Sequence, residues 1–212
     1  MEHPILFSAP MVNAILEGRK SQTRRVMKTQ MPENFWRTGG VDIAGDYAYA
    51  VPLADDEKND RLLDECKFPY GNIGDRLWVR ENIRFGKGYD GVKPKDIPKE
   101  PHIKRWYEAD TGLGQVPHGF GVLRPSIFMP RYFSRITLEI TGIRVERLQD
   151  ISESDAIAEG CAATSAQDSA TFGDSNLPSH QFKNLWKTIN GQESWDSNPF
   201  VWVIEFTRRA QP

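Results

Sequence analysis

The chain has 212 residues, 39% hydrophobic and 11% aromatic, with a formal net charge of −2. That is apolar mass enough for one core of ordinary domain size, and the near-neutral balance excludes a molecule that is basic throughout. The signs are nevertheless segregated, with acids at Asp55, Asp56, Glu57, Asp60, Asp64 and Glu65 and basic residues at 19–28 and 131–147, which leaves room for a local basic face.

Residues 4–7 (PILF) read as a short strand. Ser8 then caps a helix with Pro10 in its first turn, and Met11, Ala14 and Ile15 recur at helical spacing up to Gly18, which sits where a helix stops. Thr23 to Met27 begin a second strand. From 28 to 70 no period is sustained, and Pro32, Gly39, Gly40, Pro52 and Pro69 interrupt the chain, so this stretch is expected to be an insertion. Asn72 to Asp75 make a turn, after which residues 76–85 alternate. Leu77, Val79, Ile83 and Phe85 share one face; Arg76, Trp78, Arg80, Asn82 and Arg84 share the other. The same parity sets Glu81 among the apolar side chains, where it needs a cationic partner or a raised pKa, unless a bulge returns it to solvent.

Residues 86–130 read as a second insertion, with a candidate strand at 102–109 (HIKRWYEA). The strongest strand signal follows in "SRITLEITGIRVERL". Ile136, Leu138 and Ile140 lie on one parity and Ile143 and Val145 on the other; the switch at Gly142 predicts a bulge or bend of the kind that curls a sheet into a barrel. "DISESDAIAEG" predicts a helix capped by Ser152, with Asp155 three residues on, and stopped by Gly160. A third insertion of small residues spans 161–177. "SHQFKNLWKTING" carries Phe182, Leu185, Trp186 and Ile189 at helical spacing, and "NPFVWVIEF" is apolar on both faces, which suits a central strand; Trp195, Trp202 and Phe206 are assigned to the core. The sum is a single α+β domain over 1–212, its short strands closing into a barrel with helices at the ends.

Cys66 and Cys161, the only cysteines, are far apart, and His3, His102, His118 and His180 form no ligand-spaced pair, so neither a metal nor another cofactor is expected. "MEHPILFSAPM" lacks the basic start and apolar core of a leader, and no apolar run reaches membrane-spanning length. A soluble, cytoplasmic chain with no membrane partner is the expectation.

The chemistry concentrates in "GRKSQTRR", residues 18–25. In one extended strand Lys20 and Thr23 face opposite ways, but if residues 19–22 turn, the pair converges. A desolvated lysine of lowered pKa can take a hydroxyl proton and activate a weak nucleophile; an inert, solvated basic turn is the plainer alternative. Arg19, Arg24 and Arg25 around the pair suit an anionic polymer. A second basic face with an aromatic comes from Arg76, Trp78, Arg80 and Arg84, with Arg124, Arg131 and Arg135 flanking the irregular stretch before the long strand and Glu81 as a neighbour. Each of these also fits a structural ion pair or a packed Trp.

"GRKSQTRR" resembles the Gly-x-Lys-x-x-(Glu or Thr)-x-Arg signature of the ASCH superfamily, a PUA-like β-barrel linked to RNA, with Gly18, Lys20, Thr23 and Arg25 at the motif positions. "FSAPMVNAILEGRKSQTRR", "GDRLWVREN", "RPSIFMPRYFSRITLEITGIRVERLQDIS", "LWKTINGQESW" and "NPFVWVIEF" are similar to successive blocks of phage- and prophage-borne ASCH proteins, over more than half the chain. One branch of the superfamily hydrolyses N4-acetylcytidine. The resemblance to that branch implies a metal-free amidohydrolase in which Lys20 is the base, Thr23 the nucleophile and Glu159 the acid. Glu159 is expected in the last turn of its helix, where the macrodipole opposes a carboxylate and raises its pKa. The implied partner is a nucleoside or nucleic acid, RNA rather than DNA, with no protein partner specified. Three other readings stay open: a non-catalytic reader of RNA or modified phage DNA using the same cleft, a phage assembly protein, and a ribonuclease.

Overall fold

The computed structural model describes residues 1–30, 40–44, 47–51, 67–111, 115–162 and 177–209. Strand β1 (Glu2–Leu6) leads into helix α1 (Ala9–Leu16), whose C-cap is Glu17 and whose stop is Gly18 at φ +76°, a backbone state that favours glycine. Strand β2 (Gln22–Val26) follows, then a hairpin of β3 (Gly40–Ala44) and β4 (Tyr47–Val51) inside the expected first insertion. The remaining strands are β5 (Arg76–Arg80), β6 (Ile83–Phe85), β7 (Arg105–Tyr107), β8 (Thr137–Arg147) and β9 (Phe200–Arg209). Helices α2 (Glu153–Ala158), α3 (Pro178–Asn190) and α4 (Gln192–Asp196) lie between the last two strands.

The chain is α+β. Its main sheet has the order β1-β5-β8-β9-β2, parallel between β1 and β5 and antiparallel elsewhere. The β8–β9 register slips between Ile140 and Gly142, where the parity switch predicted a bulge. The sequence anticipates a closed barrel. Among the described residues no main-chain ladder joins the edge strands β1 and β2, so the closure is not seen; Arg25 reaches from β2 to the carbonyl of Leu6 with its guanidinium alone.

Strand β9 is central and buried on both faces, as its sequence requires. Its even-numbered side chains, Trp202, Ile204 and Phe206, join Ile5, Val12, Ile15, Leu77, Val79 and Leu138 under α1. Val201 and Val203 pack on the other face against Leu148, just after β8, and against Ala156, Phe182, Trp186 and Trp195 from the three later helices. Opposed residues of an antiparallel pair share a face. Thr23, opposite Ile204, therefore shares the α1 face, while Arg24, opposite Val203, shares the face of α2 and α3.

The expected strand 76–85 is two strands. β5 belongs to the main sheet, whereas β6 pairs with β7 in a separate one, and the chain breaks at Glu81 and Asn82. The break has a polar cause. The Glu81 amide turns to Met129 Sδ, the Asn82 carboxamide bridges Glu108 Oε2 and the Ser126 amide, and Glu81 takes Arg135 as partner. A third apolar cluster of Ile83, Phe85, Ile97, Ile103, Tyr107, Met129 and Phe133 fills the space under β6 and β7, so the 86–130 insertion carries its own small core. Nearly all of the expected 161–177 insertion falls outside the described residues. Among those described, no helix is long and apolar enough to cross a membrane.

Candidate functional site

The turn after α1 is stitched to the end of α2, and this accounts for its run of cations. Arg19 Nη1 donates to the Gly160 carbonyl at 3.0 Å, Lys20 Nζ to the Glu159 carbonyl at 2.7 Å, and the Ser21 amide to the Ala158 carbonyl at 2.9 Å. A helix ends in unpaired carbonyls of partial negative charge, and cations complement them there. The approach is close. At Gly160, φ +98°, a Cβ would stand 3.1 Å from Ala14 Cβ and 3.3 Å from Lys20 Cβ, so the junction requires glycine on both grounds.

Lys20 and Glu159 are both buried, and Lys20 Nζ also donates to Glu159 Oε2 at 2.7 Å. Burial pushes the lysine pKa below its ordinary value, with the Glu159 carboxylate opposing the shift. Arg24 Nη1 stands 3.4 Å from the other carboxylate oxygen, Oε1. The side chain of Arg24 has no solvent exposure and meets two further acids, Glu146 at 2.8 Å and Asp155 at 3.3 Å. Arg144 closes the network by pairing with Glu146, Asp155 and Glu205. For Asp155, burial alone raises the pKa, but the Ser152 hydroxyl and the charges of Arg24 and Arg144 outweigh it and hold the carboxyl below its usual range.

Beside this network a cleft of about 250 Å³ runs along β2, bounded by Met11 of α1, by Tyr70 and by the Phe182, Leu185, Trp186 and Asn190 side of α3. Thr23, Arg25 and Glu159 open onto it. Because β2 is an edge strand, its outer side has no neighbouring strand to fill the space. Thr23 is only 2% exposed, yet its hydroxyl has no hydrogen-bond partner among the described residues. The hydroxyl is not among the fully buried polar atoms that lack a partner, so it keeps access to the cleft. Arg25 lies over the Phe7 ring at 5.2 Å, and its Nε is buried without a partner.

Of the residues singled out in the sequence, Thr23, Arg24, Arg25 and Glu159 line this cleft, and Lys20 joins them through its pair with Glu159. Arg24 corrects its expectation: it points into the carboxylate network and braces Glu159 instead of facing a polymer. Glu159 is the C-cap of α2, one position beyond the last turn, and the dipole argument omitted the two cations that face it. Arg19 is exposed and paired with Glu17.

The second basic group stays apart from the cleft. Trp78 is 7% exposed and lies under the guanidinium groups of Arg80 at 4.6 Å and Arg131 at 5.9 Å, so it offers no open stacking face. Glu81, 1% exposed, points inward as its parity requires, but its partner is Arg135, by two hydrogen bonds of 2.8 and 2.9 Å, and not Lys20 or Arg25. Burial raises the Glu81 pKa against the pull of Arg135. Arg135 also meets Asp110 and stacks on Tyr107, Arg131 pairs with Glu2, and Arg124 donates to main-chain carbonyls.

Sequence reasoning missed the cleft walls. The helical spacing of Phe182, Leu185 and Trp186 reveals an apolar stripe but not that part of it borders an opening; Tyr70 carried no signal at all. Among the described residues no group of three or more His, Cys, Asp or Glu is arranged to hold a metal ion. Comparison with models of known protein families, with curated proteins and with solved structures gives no match.

Proposed function

We propose that the chain is an ASCH-type, PUA-like protein that takes a nucleoside, free or within RNA, into the cleft along β2 and hydrolyses an N-acyl amide such as that of N4-acetylcytidine. The observation that carries this reading is the Thr23 hydroxyl, which has no hydrogen-bond partner among the described residues and opens onto the same cleft as the Glu159 carboxylate, itself paired with a buried lysine of lowered pKa. The cleft, about 250 Å³, is smaller than the pockets that take drug-sized ligands and suits one base with its acyl group. Tyr70 and Trp186 supply aromatic walls for it.

The chemistry follows from the donors present. A neutral Lys20 amine keeps two N–H bonds for the Glu159 carbonyl and carboxylate and has its lone pair free to accept the Thr23 proton. Thr23 Oγ1 attacks the acyl carbonyl, and Arg25 faces the developing oxyanion. Lys20 relays the proton to Glu159, which delivers it to the leaving N4, so that the C–N bond breaks and an acyl-Thr23 ester remains. Water then hydrolyses the ester, releasing acetate and restoring Thr23.

The ion pair itself favours a second reading, a non-catalytic reader, because Glu159 within 2.7 Å favours a charged Lys20 that cannot act as a base. One assay separates the two. Purified protein is incubated with N4-acetylcytidine and released cytidine is followed by chromatography, beside Thr23→Ala and Lys20→Ala. The hydrolase reading expects turnover in the parent and a loss of about 10²–10⁴-fold in Lys20→Ala, with at least as large a loss in Thr23→Ala and the thermal transition of Thr23→Ala preserved. No turnover by the parent, or full turnover by Thr23→Ala, ends it.

A further inference from the structure

The 86–130 segment builds a second cavity, of about 460 Å³, that the reading above leaves unused; it is lined by Val92, Pro94 and Phe128 on the apolar side and by Lys93, Lys95 and Arg124 on the charged side. Its volume falls in the range of ligand sites. No acidic residue lines it.

The cavity is built, not an accident of a loose loop. Arg124 Nη2 donates to the carbonyls of Tyr89, Asp90 and Val92, tying one wall to the other. Asp90 Oδ1 accepts from the Val122 amide at 2.9 Å, and the chain passes so near it that a Cβ on Gly121 would overlap that carboxylate. The backbone under Phe128 is fixed equally well, since the Ser126 amide bonds Asn82, Arg80 bonds the Ile127 carbonyl and the Phe128 amide bonds Pro125. On that fixed backbone the Phe128 ring is left 62% exposed, beside the exposed Ile127. An ordered aromatic held in water with two exposed lysines at its rim is a stacking platform with an electrostatic lip.

We propose that this cavity binds a nucleotide unit of single-stranded nucleic acid, its base stacked on Phe128 and its flanking phosphates paired with Lys93 and Lys95. A duplex keeps its bases stacked on one another and cannot present one to a pocket, whereas a single strand can. The apolar wall accounts for the base and the acid-free cationic rim for the backbone. The proposal is independent of chemistry at Thr23. It gives the chain a second point of attachment for a polymer.

The test is fluorescence anisotropy of a labelled single-stranded oligoribonucleotide of about eight nucleotides, with the deoxy strand, a duplex and a free nucleoside monophosphate as further arms. Phe128→Ala is expected to weaken binding of the strand roughly 5- to 150-fold, and Phe128→Trp to retain it. Lys93→Ala with Lys95→Ala is expected to lower the slope of log K against log salt by about 1.4, two phosphates at about 0.7 each. Phe128→Ala keeps any turnover of free N4-acetylcytidine, so failure at one site is visible apart from failure at the other. No binding by the parent, equal binding by Phe128→Ala, preference for duplex, or tight binding of the monophosphate with no gain from the strand would each overturn the proposal.

Discussion

At Lys20 two demands meet. The ammonium is taken out of water, which favours the neutral amine, and it is given Glu159, which favours the charged one; desolvation is the larger effect, and the pKa lies below the ordinary lysine value. If Lys20 is the base, kcat/KM for N4-acetylcytidine rises with pH along a limb whose midpoint lies below 10.5, the model-peptide value. Lys20→Arg keeps a cation near Glu159 but cannot deprotonate in the accessible range. A pH profile of the two proteins checks this: the variant should lose the ascending limb, and a limb that survives in it belongs to another group. Arg24 illustrates the same competition without a titration. Among Glu146, Asp155 and Glu159 its guanidinium serves to hold charge and geometry.

At the scale of elements, the short helix α2 places Glu159. Six residues are too few for a helix to persist alone. Its start is fixed by a reciprocal cap, in which the Asp155 amide donates to Ser152 Oγ and the Ser152 hydroxyl donates to Asp155 Oδ2. Its end is fixed by the cations of the turn before β2. Because the folded Asp155 pKa is depressed, the stability it contributes is present above about pH 4, its unfolded value, and is lost as pH falls through the lower folded value. Asp155→Asn should therefore lower the thermal midpoint at pH 7 by an amount that shrinks in acid. Thermal melts at pH 7 and pH 3 test it, and a gap that is unchanged or wider at pH 3 contradicts the assignment.

Across the whole molecule, the main sheet and the β6–β7 unit meet at the Glu81–Arg135 pair. Ser134 Oγ beside it donates to the Val79 carbonyl, and Arg135 spans Glu81 and Asp110. Breaking a buried pair by removing one partner leaves the other uncompensated, at about 3–5 kcal/mol. Arg135 is a quarter exposed and keeps Asp110, so Glu81→Ala is expected near the lower end, about 3 kcal/mol, by urea unfolding. A change below about 0.5 kcal/mol, typical of surface positions, would show that the pair does not couple the units.

Much of this was legible in the sequence, wherever the signal is short-range. Gly18 and Gly160 as helix stops, the Ser152–Asp155 cap, the slip at Gly142 and the two buried faces of β9 all follow from period, parity or turn chemistry within a few residues. The sequence also set Lys20 and Thr23 three positions apart in one turn, and Glu159 came from the family resemblance and not from period or parity. Parity said that Glu81 turns inward and could not say what stands opposite, because Arg135 comes from a segment brought there only by tertiary packing. Alternation set Trp78 on the polar face, and only the folded chain laid Arg80 and Arg131 over it. Arg24 and Arg25 are neighbours of the same type; the edge position of β2 sends one into a carboxylate network and the other to the cleft, since successive side chains of a strand face opposite layers and only the assembled layers differ in what they hold.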